Sequence, residues 1–134
     1  MNMDILAVGI GGIFGALCRY GIGTLAHKLS VSIFPYGTLT VNLLGSFLLS
    51  FVAYGSLLRW NLPRHYLLAV NTGFVGSFTT FSTFSVETMN LILQEQYITA
   101  LFYQIISLVA GFFLSWAGIR LAIGLFEKPE PAES

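Results

Sequence analysis

Hydroxyl and phenylalanine side chains alternate in one apolar stretch of the chain, Gly73–Ser85. In a helix, three polar side chains would share a face at a spacing of four residues: Thr79, Thr83 and Glu87. Three rings would share a neighbouring face at a spacing of three: Phe78, Phe81 and Phe84. Because a phenyl ring has a positive edge, rings beside a hydroxyl track can contact an anion weakly. Weak contact suits conduction, since the ion must be able to leave.

The same stretch weakens the backbone of a membrane helix. Gly73 and Gly76 relax it, and the hydroxyls of Thr79 and Thr80 can satisfy freed carbonyls or leave them to bind a cation. We therefore predict a break near the middle of this helix. The ordinary explanation of a phenylalanine stripe, packing against lipid or core, remains an alternative.

Further polar residues lie at membrane depth in other apolar stretches. Thr38 and Asn42 are four residues apart, which places a hydroxyl and an amide on one helical face. Tyr103 and Ser107 have the same spacing in the last apolar stretch. We predict that these side chains point inward toward a polar path. Asn42 can instead hold helices together by a hydrogen bond, and Tyr103 can anchor at the interface.

Two ionisable residues inside predicted spans are candidates for function. Arg19 either gives a polar vestibule a positive potential or extends to the lipid headgroups. Glu87 either caps the polar track, pairs with a cation, or acts as a protonatable coupling group. His27 and His65 have no neighbouring cysteine or carboxylate in a metal-site or catalytic-triad spacing, so we predict no enzyme activity.

The elements that position these residues are predicted from composition. With 55% hydrophobic residues, 9% charged residues and a mean hydropathy of +0.78, the chain is typical of an integral membrane protein. Its formal net charge of +0 gives no basic surface for nucleic acid. The single cysteine, Cys18, is a small packing residue inside an apolar stretch.

At about 20 apolar residues per span, the 134 residues accommodate one all-α domain of four transmembrane helices, residues 1–126. The predicted spans are 5–26, 36–58, 66–93 and 98–126. The first is a retained helix because no positive residue precedes it. Residues 127–134 form a charged, proline-rich tail that we expect to be disordered. An even number of spans places both termini on one side, and the positive charges weakly favour the orientation with both termini inside the cell.

A second copy of the chain is expected, because four helices cannot surround a polar path alone. Ala7, Gly11 and Gly15 recur every four residues, a spacing that allows close helix approach. This spacing fits contact within one subunit as well as contact between two.

Three features together resemble the Fluc (CrcB) family of fluoride channels. They are the second-span motif Gly37-Thr-Leu-Thr-Val-Asn-Leu-Leu-Gly45, the third-span motif Thr72-Gly-Phe-Val-Gly-Ser-Phe-Thr-Thr-Phe-Ser-Thr-Phe-Ser-Val-Glu-Thr88, and an arginine late in the first helix. The resemblance covers almost the whole chain. Ser77 departs from it, because many relatives have a glycine there.

The resemblance implies a homodimer of antiparallel subunits with two fluoride pores in the plasma (inner) membrane. It implies a structural sodium ion at the dimer centre, held by the backbone carbonyls of Gly76 and Thr79. The family's residues along the fluoride path fall on Phe81, Phe84, Asn42 and Tyr103. The spacing of polar residues adds Thr38, Thr80, Thr83 and Ser107 to the predicted path. Arg19 and Glu87 would lie in the vestibule or along the polar track.

Fluoride would then move passively out of the cytoplasm, with neutral donors replacing its water. One alternative is a proton-coupled exporter of small molecules that uses Glu87 as the membrane carboxylate. A second alternative is a structural subunit without an ion path, which leaves the hydroxyl and phenylalanine stretch unexplained.

Overall fold

The computed structural model describes residues 2–127, and these residues form helices and short connections with no β-strand. The prediction of an all-helical protein is therefore confirmed for this part of the chain. Of the predicted tail, only Glu127 is described, and residues 128–134 lie outside the described part.

Six α-helices follow one another along the chain. Their bounds are α1 Met3–Leu29, α2 Tyr36–Gly55, α3 Arg64–Leu67, α4 Gly76–Phe78, α5 Ser82–Leu93 and α6 Tyr97–Phe126. Two stretches of π-helix extend them. Ser56–Trp60 continues α2, and the segment Leu68–Val75, called here the π segment, joins α3 to α4.

Three of these helical stretches are long and apolar enough to cross a membrane: Met3–Leu29, Tyr36–Trp60 and Tyr97–Phe126. Their apolar side chains are mostly exposed, as Leu108 is at 75%. A water-soluble protein would bury such side chains, whereas a bilayer covers them with lipid. Away from their ends, helices also satisfy their backbone hydrogen bonds internally, which the bilayer core requires. The chain is a multi-pass membrane protein.

Several of the candidate functional residues lie where helical structure is interrupted. α4 ends at Phe78, and Thr79 has extended backbone angles of φ −82° and ψ 160°. Helical structure resumes at Ser82 with α5. We call Thr79–Phe81 the interruption. It separates the short helices on the α3 side from α5.

Close approach between backbones fixes the position of the interruption relative to α1. A Cβ atom on Gly15 would overlap the carbonyl of Phe74, and one on Gly11 would overlap that of Ala69. Gly11 and Gly15 therefore pack against the π segment of the same subunit. The sequence left open whether this glycine face serves one subunit or two, and the structure shows the contact within one.

The second large packing surface joins α2 to α6. A Cβ atom on Gly118 of α6 would overlap the Ser50 hydroxyl of α2 and the nearby carbonyl of Phe47. The Ser115 hydroxyl donates to the carbonyl of Ser46 at 3.4 Å. α2 thus lies directly beside α6, and its face with Thr38 and Asn42 is held toward α5 and the interruption.

Candidate functional site

The side chain of Asn42 binds the backbone of the interruption. Its amide nitrogen donates to the carbonyl of Thr80 at 2.9 Å, and its amide oxygen accepts from the N–H of Thr80 at 2.8 Å. One side chain on α2 therefore supplies both partners that Thr80 lacks outside a helix. The sequence predicted a polar role for Asn42, and the structure shows its amide engaged with backbone.

Several backbone carbonyls lose their helical partners at the interruption, among them those of Gly76 and Thr79. In a continuous helix, the N–H of Thr80 would donate to the carbonyl of Gly76, but it donates to Asn42. The N–H of Thr83 would donate to the carbonyl of Thr79, but it donates to the Thr80 hydroxyl at 3.2 Å. The carbonyls of Gly76 and Thr79 are thereby freed from the helical ladder. Neutral carbonyl oxygens are suitable ligands for a hard cation such as sodium.

The carboxylate of Glu87 is held by hydroxyls from two other helices. The Thr38 hydroxyl donates to Oε1 at 2.8 Å, and the Tyr103 hydroxyl donates to Oε2 at 2.8 Å. Tyr103 is fully buried, with 0% of its surface exposed. α2, α5 and α6 are thus joined through one carboxylate, which has a partner on each oxygen.

The remaining predicted hydroxyls bond mainly to one another or to their own helix. The Thr80 hydroxyl donates to that of Thr83 at 3.0 Å and also accepts from the Thr83 N–H at the start of α5. The Ser107 hydroxyl donates to the carbonyl of Tyr103 at 2.7 Å, one turn earlier in α6. The Ser107 hydroxyl is therefore bonded within its own helix. The hydroxyls of Thr80, in the interruption, and Thr83, in α5, bond to each other.

The phenylalanines of the predicted stripe separate in the structure. Phe78 is 3% exposed and stacks on Phe74, with ring centroids 5.5 Å apart. Phe81 is 79% exposed, and its ring centroid lies 5.8 Å from that of Phe84. Phe84 packs in turn against Tyr103 at 4.9 Å. Phe78 is a packing residue, whereas Phe81 presents its ring at the surface of the subunit.

Two cavities contain most of the predicted site. The first, about 280 Å³, brings Arg19 together with Thr38, Thr80, Thr83 and Glu87. The second, about 370 Å³, is lined by Asn42, Gly76, Thr79, Thr80 and Phe81, among others. Thr80 lines both cavities, so the interruption separates an ionisable side from a neutral side. In the described part of the chain, Arg19 and Glu87 form no ion pair.

One residue of the site, Gly45, and one residue of the π segment, Asn71, had no role predicted from the sequence. A Cβ atom on Gly45 of α2 would overlap the methyl group of Thr79, so the glycine lets α2 approach the interruption. The amide oxygen of Asn71 in the π segment is buried without a hydrogen-bond partner. Gly45 ends the quoted second-span motif, but a glycine in a membrane helix is too common to indicate such a contact.

The site does not provide the ligands that transition metals prefer. No group of three or more histidine, cysteine, aspartate or glutamate side chains comes together among residues 2–127. The polar atoms gathered here are hydroxyls, one amide, freed carbonyls, one carboxylate and one guanidinium. This set suits binding and passage of a small ion.

Comparison with known proteins identifies similar chains. The family model described as "CrcB-like protein, Camphor Resistance (CrcB)" matches residues 6–119. A "Fluoride-specific ion channel FluC 2" from Geobacillus kaustophilus is 48% identical over 120 residues, 90% of this chain and 93% of the relative. A "Fluoride-specific ion channel FluC" from Thermosipho melanesiensis is 42% identical over 125 residues, 92% of this chain and 99% of the relative. A "Fluoride-specific ion channel FluC 1" from Bacillus cereus is 42% identical over 123 residues, 92% of this chain and 90% of the relative.

Proposed function

This chain belongs to the CrcB family, and because its relatives are fluoride-specific ion channels, we propose that it conducts fluoride passively across the cell membrane. It is a channel and not an enzyme. Fluoride then leaves the cell down its electrochemical gradient, which lowers the cytoplasmic concentration. The observation that carries the proposal is the likeness to fluoride channels over nine-tenths of the chain.

The polar groups around the interruption suit a small, strongly hydrated anion. Burying such an ion without partners costs many kcal/mol, so a path must replace its water with donors. Asn42 uses one amide N–H on Thr80 and carries a second, and the exposed ring of Phe81 lines the same cavity. We propose that ring edges and neutral donors pass the ion along without the tight hold of a fixed charge.

The helices from Arg64 to Leu93 form a fourth crossing in this proposal. α3, the π segment and α4 make one half, α5 makes the other, and the interruption lies between them. Non-helical backbone is tolerated at membrane depth only where protein covers it or where it borders water. A second, antiparallel copy of the chain supplies that cover, and the homodimer then contains two fluoride paths.

A structural sodium ion at the centre of the homodimer completes the proposal. The carbonyls of Gly76 and Thr79 fit it, since their helical N–H partners bond elsewhere. When bound, the ion supplies a fixed positive charge that holds the two interruptions together. The chain's own contribution is the Asn42 side chain, which keeps Thr80 out of the helical ladder.

The test of function is release of fluoride from liposomes that contain the purified protein. We expect fluoride efflux well above that of empty liposomes and little chloride efflux under the same gradient. Absence of fluoride efflux would favour a structural subunit. Equal efflux of both anions would contradict selectivity.

One observation keeps the exporter alternative worth testing, namely the half-buried Glu87 carboxylate between two hydroxyl donors. Fluoride flux is therefore measured with and without a proton gradient for the wild-type protein and for Glu87→Gln. The channel proposal requires flux that follows the fluoride gradient alone. Flux that follows the proton gradient and disappears in Glu87→Gln would identify a proton-coupled exporter.

A further inference from the structure

A third cavity, about 320 Å³, adjoins the cavity that contains Arg19. It lies beside the connector between α1 and α2 and the end of α5, where His27, Ser30 and Gln94 line it. We call it the outer cavity, and we call the 280 Å³ cavity with Arg19, Thr80 and Thr83 the inner cavity. The outer cavity has room for several water molecules. It opens near helix ends, where a membrane protein meets water.

The two cavities share four lining residues, which we call the junction: Gly23, Gly37, Thr38 and Glu87. Thr38 and Tyr103 hold the Glu87 carboxylate in place on one side of the junction. The other side is backbone, because both residues there are glycines. The junction therefore lies between the helix ends that line the outer cavity and the hydroxyls of Thr80 and Thr83 that line the inner cavity.

The two glycines of the junction differ in the space around them. A Cβ atom on Gly37 would lie 3.2 Å from the Cα atom of Gly23 and 3.4 Å from the Cβ atom of Ala26. Gly37 is thus restricted by close packing of α2 on α1. A Cβ atom on Gly23 would meet nothing within 4 Å. Because Gly23 lines both cavities, a side chain at position 23 can be added beside the junction without displacing backbone.

We propose that the missing side chain of Gly23 keeps the junction wide and thereby sets the rate at which fluoride passes between the outer and inner cavities. This inference rests on the proposed function. A side chain at position 23 removes water from the junction and moves the ion closer to the fixed Glu87 carboxylate. Both effects oppose an anion, since less water screens the repulsion between like charges.

The first experiment changes the side chain at position 23 in a folded, reconstituted channel. Gly23→Cys and Gly21→Cys are made in a Cys18→Ala background and treated with methanethiosulfonate reagents. The cysteine thiolate attacks the sulfenyl sulfur, a mixed disulfide forms and methanesulfinate leaves. Gly21 is the matched control, because it is an exposed glycine of the same helix with nothing within 4 Å of its virtual Cβ atom and it lines neither cavity.

Modification at position 23 should lower fluoride efflux by about tenfold or more, and modification at position 21 by less than about twofold. A reducing agent should restore the flux. A neutral reagent should already lower the flux, because the added group fills the junction, and a negatively charged reagent should lower it at least as much. Mass spectrometry measures the modified fraction. Full modification of Gly23→Cys with unchanged flux overturns the proposal, as does failure of the reagents to modify it or the absence of inhibition by the neutral reagent.

The second experiment uses size alone. Fluoride efflux should fall in the order wild type, Gly23→Ala, Gly23→Phe, while thermal unfolding of the purified proteins stays similar. Equal efflux from all three overturns the inference. The Cys18→Ala background must itself release fluoride; if neither it nor the wild-type protein does, the proposed function has failed rather than the role of Gly23.

Discussion

Asn42 shows how one side chain can replace missing helical hydrogen bonds. Its amide bonds to both the N–H and the carbonyl of Thr80, which are 38 positions away in sequence. A spacing of four residues placed Thr38 and Asn42 on one face, but a single sequence contains no pattern that pairs residues so far apart. The same limit applies to Glu87, whose partners come from two other helices. Residue types thus indicated polar roles, and only the fold supplied the partners.

Replacing Asn42 should therefore destabilise the interruption. In Asn42→Ala, the N–H and carbonyl of Thr80 lose their partners, at a cost of about 1–3 kcal/mol for each group left unsatisfied. We expect a lower unfolding temperature in detergent and reduced fluoride flux. Thr40→Ala is the control, because the Thr40 hydroxyl is exposed and bonds only to the Tyr36 carbonyl of its own helix. Equal stability of the two variants would contradict the structural role of the amide.

The phenylalanines allow a prediction about flux without a change in fold. Phe81→Ile and Phe84→Ile remove the positive ring edges, so fluoride flux in liposomes should fall in each variant. The proposed homodimer should persist on size-exclusion chromatography. Phe78→Ile is a useful comparison, because Phe78 is buried against Phe74 and should affect stability more than flux. Normal flux in both Phe81→Ile and Phe84→Ile would remove the rings from the path.

At the scale of the elements, glycine contacts decide how the interrupted stretch is held. Composition predicted apolar helices, and the structure confirms them. The prediction was possible because backbone hydrogen bonds must be made within helices in lipid. The spacing of Gly11 and Gly15 predicted that another helix packs closely against α1, but it did not indicate which one. The partner is the π segment, where Phe74 and Ala69 present their carbonyls to α1. Which helix a small-residue face meets depends on the three-dimensional arrangement, so spacing alone could not reveal it.

Gly15→Ala should disturb this contact, because the added methyl group would overlap the backbone carbonyl of Phe74. Overpacking of this kind typically costs about 1–3 kcal/mol, which should appear as a lower unfolding temperature. Gly9→Ala on the same helix is the matched control, since a Cβ atom there meets nothing within 4 Å. Gly9→Ala should be neutral or slightly stabilising, because alanine favours helix over glycine. An equally harmless Gly15→Ala would show that the two helices separate easily.

At the scale of the whole molecule, the described residues form one subunit whose site remains open. The exposed ring of Phe81 and the cavity of about 370 Å³ beside the interruption lie on its surface. The expectation of a second copy came from the small number of helices and from family resemblance. The proposed homodimer and its central sodium ion have to be tested on the assembled protein.

Replacement of sodium provides that test. Purification and reconstitution in a larger monovalent cation at equal ionic strength should weaken the homodimer or lower fluoride flux. The reason is that a larger cation would not fit between the carbonyl oxygens of Gly76 and Thr79, which would hold sodium in the proposed site. Return of sodium should restore both properties. Complete indifference of assembly and flux to the cation would contradict the central site.

The interruption also has a consequence for the biosynthesis of the protein. A newly inserted subunit carries freed carbonyls at Gly76, an exposed residue, and at Thr79. Polar backbone facing lipid is costly, so if the proposed homodimer forms, a subunit is least stable between its insertion and its meeting with a partner. Membrane proteases and chaperones would encounter it in that interval. When synthesis is slow, few subunits are present in the membrane and each waits longer for a partner. The yield of assembled channel should therefore fall more steeply than the rate of translation.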